Sequence, residues 1–434
     1  MATTTPNKRM TVLQATFIGV GSMVGAGIFA LLGAAGAVAG SAVWLSFLVA
    51  GAIAGLQGYS FAKLGASYPS GGGMLGYLAK GFGEGHITGI VSWLFYVTGG
   101  IIAAMVASSF GGYASAVVTG DDPTWAKVFA VGLVLVMTVL NVVGSRAVAR
   151  VQSVIVKVVL AILSVFAIVT IVNWDPALLD PAGYPGIREI IASVALTFFA
   201  FLGFGVITFT AKDLPDPSRQ LPRAMYLSLV IATTVYVAVS LGVFGTLTAE
   251  QVVEYGPTAL AEAAKPTLGE LGYVLMVVTA LFSTAGAVNA TLYPATGMTQ
   301  HLASVGQFPP VFGRTVSRWH APVGLLAMAG LTILMIVLLD LNAIASLGSA
   351  VALIVFSAIT LAHFTVRHET GAKLVMLIAA LISTLGTFVV FCTTTLINEP
   401  LTAVALLVVL ALAVLIDLLW KHTRNRREAA APTS

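Results

Sequence analysis

Two long hydrophobic segments of this chain are interrupted by glycine near their middles, at matching places in its two halves. The first carries its glycines within residues 19–27, and the second carries Gly203 and Gly205. Inside a bilayer, every backbone N–H or C=O group that leaves a helix must be satisfied by protein, water or ligand. A matched pair of interruptions is typical of the substrate site of a secondary transporter. The two breaks therefore predict a membrane protein with a central binding site.

Composition indicates that almost the whole chain lies in the membrane. Of 434 residues, 58% are hydrophobic and only 9% are charged, against roughly 25% charged in soluble domains. A helical span needs about 20 apolar residues, and twelve segments are long enough. They are 13–35, 41–66, 86–118, 124–144, 148–173, 187–212, 224–248, 268–302, 322–340, 343–366, 373–397 and 401–421. The single cysteine, Cys392, excludes an internal disulfide and a cysteine-based metal centre.

Basic residues predict the orientation in the membrane. Loops on one side of the predicted spans hold Lys8, Arg9, Lys63, Lys80, Arg146, Arg150, Lys212, Arg219, Arg223, Arg314, Arg318, Arg367, Lys373, Lys421, Arg424, Arg426 and Arg427. Loops on the other side hold only Lys127, Arg188 and Lys265. Because Lys and Arg accumulate in cytoplasmic loops, we expect both termini to be cytoplasmic and the protein to lie in the cell membrane. These loops explain the basic character of the chain, so no nucleic-acid partner is expected.

An even number of spans with two matched breaks predicts an inverted repeat. Span one leaves the cytoplasm and span six enters from outside, so the two groups of five spans have opposite orientations. The predicted units are residues 1–173, 187–366 and 373–434, the last holding spans eleven and twelve and a basic tail. The expected fold is all-α, with twelve transmembrane helices in a 5+5 inverted repeat, broken helices 1 and 6, and two additional helices.

The first break offers groups for both ends of an α-amino acid. A half-helix beginning near Gly25 would aim free N–H groups and partial positive charge at the membrane midplane, where a carboxylate binds. Gly25, Ala26 and Gly27 have almost no side chain, so a ligand can approach the backbone closely. The preceding half-helix would end at Ser22 and Met23, whose carbonyls suit an ammonium group. The alternative is that these glycines only allow close helix packing.

Four stretches carry a resemblance to a known family. They are Gly21-Ser22-Met23-Val24-Gly25-Ala26-Gly27-Ile28-Phe29, Tyr59-Ser60-Phe61-Ala62-Lys63-Leu64 with Tyr68-Pro69-Ser70-Gly71-Gly72-Gly73 and Tyr77, Phe199-Ala200-Phe201-Leu202-Gly203-Phe204 with Asp216-Pro217 and Leu221-Pro222-Arg223-Ala224, and Ser283-Thr284-Ala285-Gly286-Ala287-Val288-Asn289-Ala290. In order and spacing they resemble the amino acid–polyamine–organocation superfamily of permeases. The resemblance implies transport of amino acids and related amines by a ten-helix inverted-repeat core with two further helices.

The resemblance also assigns roles in the second break. It implies that the carbonyls of Phe199, Ala200 and Leu202 complete the ammonium site, and that Phe199 is an aromatic gate over the ligand. An ordinary core phenylalanine is the alternative. Many relatives place an acid where this chain has Gly205. Since spans one, three and six hold no Asp or Glu inside the membrane, a cationic side chain would lack a counter-charge. Neutral amino acids are therefore favoured over arginine, lysine and polyamines.

Lys157 is the candidate for coupling transport to a proton. It is the only Lys or Arg well inside a predicted span, and intramembrane ionisable residues are functional candidates because burial is costly. In proton-coupled relatives a lysine of span five lies between spans one and eight, where Ser283 and Thr284 would line the site. An ungapped count places that lysine at Val159, two residues away. A lysine that extends toward the cytoplasmic surface is therefore the alternative.

The expected function is alternating-access transport of neutral α-amino acids with proton symport, without a cofactor or a bound metal. Sodium symport, with the Ser283 and Thr284 hydroxyls and span-one carbonyls as ligands, is an alternative. So are exchange without a coupling ion and a potassium transporter of the same architecture. A channel is less favoured, because the chain lacks a filter-like repeat. An enzyme is not expected, because no H-E-x-x-H, G-x-S-x-G or P-loop pattern occurs.

Overall fold

The computed structural model describes residues 10–69, 73–143, 146–316 and 320–430. Its helices are α1 (Val12–Ala39), α2 (Val43–Ser67), α3 (Met74–Phe82), α4 (His86–Val118), α5 (Pro123–Val143), α6 (Arg146–Val172), α7 (Ile187–Phe199), α8 (Pro217–Phe244), α9 (Ala249–Tyr255), α10 (Ala259–Glu262), α11 (Lys265–Ser304), α12 (Val323–Leu338), α13 (Leu341–Thr365), α14 (Arg367–Thr370), α15 (Leu374–Phe391) and α16 (Pro400–Ala430). Lys8, Arg9, Ser70, Gly71, Gly72 and Arg318, which the sequence analysis singled out, lie outside the described residues.

The remaining regular structure is short, with one exception. A 3₁₀ helix covers Leu202–Asp213, and we call it the 3₁₀ segment. Shorter 3₁₀ turns lie at Gly40–Ala42, Pro176–Leu179, Pro181–Gly183, Gly256–Thr258 and Pro310–Gly313, and a π-helical turn lies at Cys392–Leu396. Two residues, Thr315–Val316, pair antiparallel with Ala321–Pro322 as strands β1 and β2.

The helices have the length and hydropathy of membrane spans. Among the described residues, ten helical stretches qualify, and the first of them, Val12–Ser67, contains both α1 and α2. The helix α12 is apolar but has only 16 residues. Each of the twelve segments predicted from hydropathy overlaps a helix. The prediction of an all-helical, multi-span membrane protein is therefore confirmed.

Contacts between chain segments define the two ends of the bundle. At one end the backbone N–H of Met10 donates to the carbonyl of Asp213 at 2.9 Å, so the start of α1 meets the end of the 3₁₀ segment. At the other end the N–H of Asp175 donates to the carbonyl of Gly245 at 2.8 Å, and the short helices α9 and α10 pack against α1. We call these the amino-terminal end and the opposite end.

The predicted break in the first span is wrong for this structure. The helix α1 is continuous over 28 residues and includes every residue of the predicted break from Ser22 to Gly27. Glycine weakens a helix by about 1 kcal/mol relative to alanine but does not end it. Here the glycines allow close packing: a Cβ on Gly25 would lie 2.5 Å from the carbonyl oxygen of Ser283, and one on Gly27 would overlap the hydroxyl of Tyr236. The half-helix end expected near Gly25, with its carboxylate site, is therefore not formed.

The predicted break in the second span is confirmed. The helix α7 ends at Phe199, a turn follows, and the chain continues as the 3₁₀ segment for 12 residues. Runs of 3₁₀ helix longer than three or four residues are uncommon. At Gly203 the segment meets the backbone of α1, because a Cβ there would lie 2.6 Å from both the Met23 nitrogen and the Ser22 carbonyl carbon. Glycine therefore lets the broken helix lie directly against the middle of α1.

We predict that Gly203→Ala destabilises the protein, because its new Cβ would collide with the α1 backbone, which cannot move aside as the end of a side chain can. Overpacking of this kind costs about 1–3 kcal/mol, so the melting temperature in detergent should fall by several degrees. Gly330→Ala in α12 is the matched control, since nothing lies within 4 Å of its added Cβ. An equal fall in both variants would contradict the packing role.

Candidate functional site

A cavity lies beside the break. Its empty volume is about 710 Å³, including the space at its entrance that is open to solvent. It is enclosed by α1, α4, the 3₁₀ segment, α11 and α12, and extends from the break toward the amino-terminal end. The largest side chains of its wall are aromatic rings and thioethers. These are Phe95, Phe199, Phe209, Phe356, Met74, Met298 and Met328. The site is thus an apolar chamber between the first helix and the broken one.

Among the described residues of this wall, the polar side chains are the hydroxyl groups of Ser22, Thr98 and Thr291. Thr98 donates to the carbonyl of Leu94 at 2.8 Å and Thr291 donates to that of Ala287 at 2.9 Å, so both donors are used within their own helices. The Ser22 hydroxyl makes no hydrogen bond within the part of the chain that the structure describes. Of the three, only Ser22 therefore has a free donor for a ligand.

The structure brings together five of the eight residues predicted to bind substrate. Ser22, Ala26, Phe199, Ala200 and Leu202 all line the cavity. The other three, Met23, Gly25 and Gly27, are buried and do not line it. Their contacts are with the 3₁₀ segment, α11 and α8 respectively, which is the close-packing alternative considered for the glycines.

The turn after α7 keeps most of its backbone bonds by tightening. The N–H of Ala200 donates to the carbonyl of Thr197 at 3.1 Å, and the N–H of Phe201 donates to that of Phe198 at 3.0 Å. The carbonyl of Ala200 accepts from the Tyr236 hydroxyl of α8 at 3.1 Å. Tyr236 is fully buried and was not predicted. A tyrosine inside an apolar span, whose hydroxyl needs a partner, was the signal available for it.

Phe199, which was predicted to be a gate over the ligand, lies in the wall of the large cavity. Its side chain is 2% exposed and forms part of the cavity wall. The ring packs directly on Gly348 of α13, where any added Cβ would overlap it. The ring therefore occupies space that only a glycine in α13 leaves open. The gating role itself stays a prediction.

The three residues predicted for ion coupling do not come together. Ser283 and Val159 line a small cavity between α1, α6 and α11. Thr284 is buried and donates to the carbonyl of Ala280 at 2.6 Å. Lys157 lies on the exposed face of α6, with its Nζ 5.4 Å from the centre of the Phe17 ring. Two residues turn a helix by about 200°, so Val159 faces the cavity and Lys157 faces away.

Charged and metal-binding groups are scarce around these cavities. Among the described residues, no charged side chain lines either of them, and no three His, Cys, Asp or Glu side chains gather as a metal site would require. What the site can do chemically is therefore limited to binding by shape, by hydroxyl groups and by the backbone of the break.

An apolar chamber beside a broken helix, inside a bundle of membrane-length helices, is the arrangement of a membrane transporter. The chain belongs to the amino acid permease family, whose model matches residues 10–425. It is 33% identical to the inner membrane transport protein YbaT of Escherichia coli over 374 residues, which is 86% of this chain and 87% of that protein.

More distant relatives are transporters as well. The chain is 27% identical to the vacuolar cationic amino acid transporter 2 of Arabidopsis thaliana, over 83% of this chain and 60% of that protein. It is 25% identical to the methylthioribose transporter of Bacillus subtilis, over 83% of this chain and 82% of that protein. The resemblance to a permease family and the prediction that the protein is a transporter and not an enzyme are therefore confirmed.

We predict that Tyr236→Phe impairs transport, because the buried carbonyl of Ala200 loses its donor. An unsatisfied buried acceptor costs about 1–3 kcal/mol, and a penalty of about 1.4 kcal/mol on one state of the cycle changes the rate tenfold. Uptake by proteoliposomes should fall by about that factor. Tyr96→Phe is the control, since it loses a similar bond, 2.6 Å to the carbonyl of Gly324, away from the break. Wild-type uptake by Tyr236→Phe would refute the role.

Proposed function

We propose that this permease carries neutral α-amino acids by alternating access. The observation that carries the proposal is the absence of charge from the wall of the large cavity, among the residues that the structure describes. A charged substrate side chain would lose its hydration there without gaining a counter-charge. The charges of the amino acid backbone are a smaller problem, because hydroxyl and peptide dipoles can meet both of them.

Each end of the substrate backbone has a proposed partner. The ammonium group is assigned to the carbonyls of Phe199, Ala200 and Leu202, since a helix end leaves carbonyls with acceptor capacity. The carboxylate is assigned to the Ser22 hydroxyl, which is the free donor on the facing helix. This pairing replaces the carboxylate site expected at Gly25, and it leaves the substrate side chain to extend along the apolar wall.

We also propose that the helices form a 5+5 inverted repeat with two additional helices. The helices α1, α2, α4, α5 and α6 would form one repeat, and α7 with the 3₁₀ segment, α8, α11, α12 and α13 would form the inverted second one, with α15 and α16 outside. In support, the cavity is built by equivalent elements, since α1 and α7 come first in their repeats and α4 and α11 come third. Twelve spans with basic loops at the amino-terminal end would put both termini in the cytoplasm, with the cavity on the inward side of a cell membrane.

The test is competition for uptake by purified protein in proteoliposomes. Labelled leucine is exchanged against unlabelled internal leucine, and alanine, leucine, phenylalanine, lysine, arginine, glutamate and methylthioribose are added outside in excess. Inhibition by the neutral amino acids alone is expected. Inhibition by lysine or arginine at the same concentration would refute the neutral class, and inhibition by methylthioribose alone would replace amino acids with an uncharged thioether sugar.

Exchange without a coupling ion is the mode that the small cavity favours. Among the residues that the structure describes, its wall carries one hydroxyl, that of Ser283, and Val159 lies where the ungapped count places the lysine of proton-coupled relatives. One hydroxyl is too few ligands for sodium, which like other hard cations takes several oxygens. Proton symport through Lys157, the coupling expected from the sequence, would require this lysine to act from the exposed face of α6.

We predict that Lys157→Gln leaves leucine uptake within about twofold of the wild type, with and without an inward proton gradient. The reason is that its ammonium group lies outside the cavity. Val159→Lys is the contrasting variant, because it would put an ammonium group into an apolar space at a cost of several kcal/mol, and it should abolish uptake. Loss of a proton-driven component in Lys157→Gln alone would restore proton symport through this lysine.

A further inference from the structure

The short helix α3 closes the amino-terminal end of the large cavity. It was not predicted from the sequence, and it packs against α13 while also touching α2, α4 and the 3₁₀ segment. Its buried face consists of Met74, Leu75, Tyr77 and Leu78. Only Met74, the first residue of the helix, reaches the cavity.

The start of α3 is docked on the 3₁₀ segment at two places. Gly73 has a positive φ of 53°, and a Cβ there would lie 2.7 Å from the ring of Phe209. The terminal methyl group of Met74 lies directly on Gly205, where an added Cβ would overlap it. The thioether of Met74, which is 2% exposed, therefore occupies the space that a side chain at residue 205 would need.

We propose that Met74, seated on Gly205, is the specificity-determining residue of this permease and selects neutral amino acids with long apolar side chains, such as leucine, methionine and phenylalanine. The inference rests on the proposed function and adds the side-chain class to it. With the substrate backbone held between Ser22 and the break, the side chain extends along the apolar wall toward α3. Its tip then meets the side chain of Met74, which lines the cavity there.

The chemistry of methionine fits this position. Its unbranched, polarizable side chain adapts to different shapes and packs well against aromatic rings. A methionine at this position accepts substrate side chains of several shapes, but those long enough to contact it bind more tightly. Short side chains leave the contact unmade, and one methylene group in an apolar pocket is worth about 10–200-fold in discrimination at most.

The first test measures apparent affinities for alanine, valine, leucine, methionine, phenylalanine and tryptophan in the exchange assay. Met74→Ala should weaken binding of leucine and methionine by about tenfold, leave alanine unchanged, and improve tryptophan. Met74→Phe should exclude phenylalanine and tryptophan while alanine is still bound. Met298→Ala, a methionine of the same wall on α11, is the matched control and should change the series less at its long end.

The second test uses the single cysteine of the chain. In a Cys392→Ala background, Met74→Cys should react with a thiosulfonate reagent added from the amino-terminal side, and leucine should protect it more than alanine does. Lys80→Cys, on the exposed face of the same helix, should react without protection. These two variants differ in whether their side chains face the cavity, so protection reports contact with substrate and not stability of α3.

The outcomes separate the two proposals. If the wild type does not exchange neutral amino acids, the proposed function fails. If it does, but Met74→Ala changes all affinities by one factor, or Met74→Cys is not protected, then Met74 has only a structural role and the inference is wrong. A changed rank order together with stronger protection by leucine supports it.

Discussion

The structure depends on a contact between two backbones at mid-depth in the bundle. Gly203 brings the 3₁₀ segment against the nitrogen of Met23, and Gly25 brings the other side of the same helix against the carbonyl of Ser283. Without side chains in between, α1 is held on both sides by peptide groups. The cavity is the space left where this contact ends, between α1 and the wall formed by α4, α11 and α12. A central helix packed so closely can keep its own hydrogen bonds, and so it stays continuous.

Hydropathy predicted most of the fold because a membrane span must be apolar over its whole length, whatever it packs against. Hydropathy could not show which of the two glycine-rich segments leaves the α-helix. In both, glycine permits a break, but only after Phe199 does the chain leave the α-helix, where Tyr236 of α8 supplies a donor to the freed carbonyl. That donor comes from another helix, so no local pattern reveals it. The helix α3 was missed for another reason: its nine residues are amphipathic, but a search for spans of about 20 apolar residues passes over a helix of this length.

The sequence predicted which segments form the site, but it did not predict which side chains of those segments face the cavity. Phe199, Ala200 and Leu202 line the cavity because their positions follow from the break itself, and their role in binding substrate stays a prediction. Lys157 shows the limit of such reasoning: an error of two residues in register turns a side chain from the cavity to the exposed face of α6. A charge count gives the presence of a lysine in a span, whereas its role depends on which face of the helix it occupies.

Polar and aromatic contacts join several helices at the amino-terminal end, close to α3. The carboxylate of buried Asp417 in α16 accepts a hydrogen bond from the His86 ring of α4 at 2.6 Å, and it lies 3.3 Å from the Nζ of Lys421 in its own helix. Nearby, the ring of Trp93 stacks on that of Phe308, with 3.7 Å between the ring centroids. The hydrogen bond from His86 joins α4 to α16, and leaving the buried Asp417 carboxylate without it costs free energy, so α4 and α16 should remain together throughout the cycle. By contrast, α3 meets the 3₁₀ segment through glycine and a flexible thioether, contacts that can be remade after a shift without leaving a charge unpaired. We therefore expect a conformational change at this end to remake the contacts between α3 and the 3₁₀ segment before it separates α4 from α16.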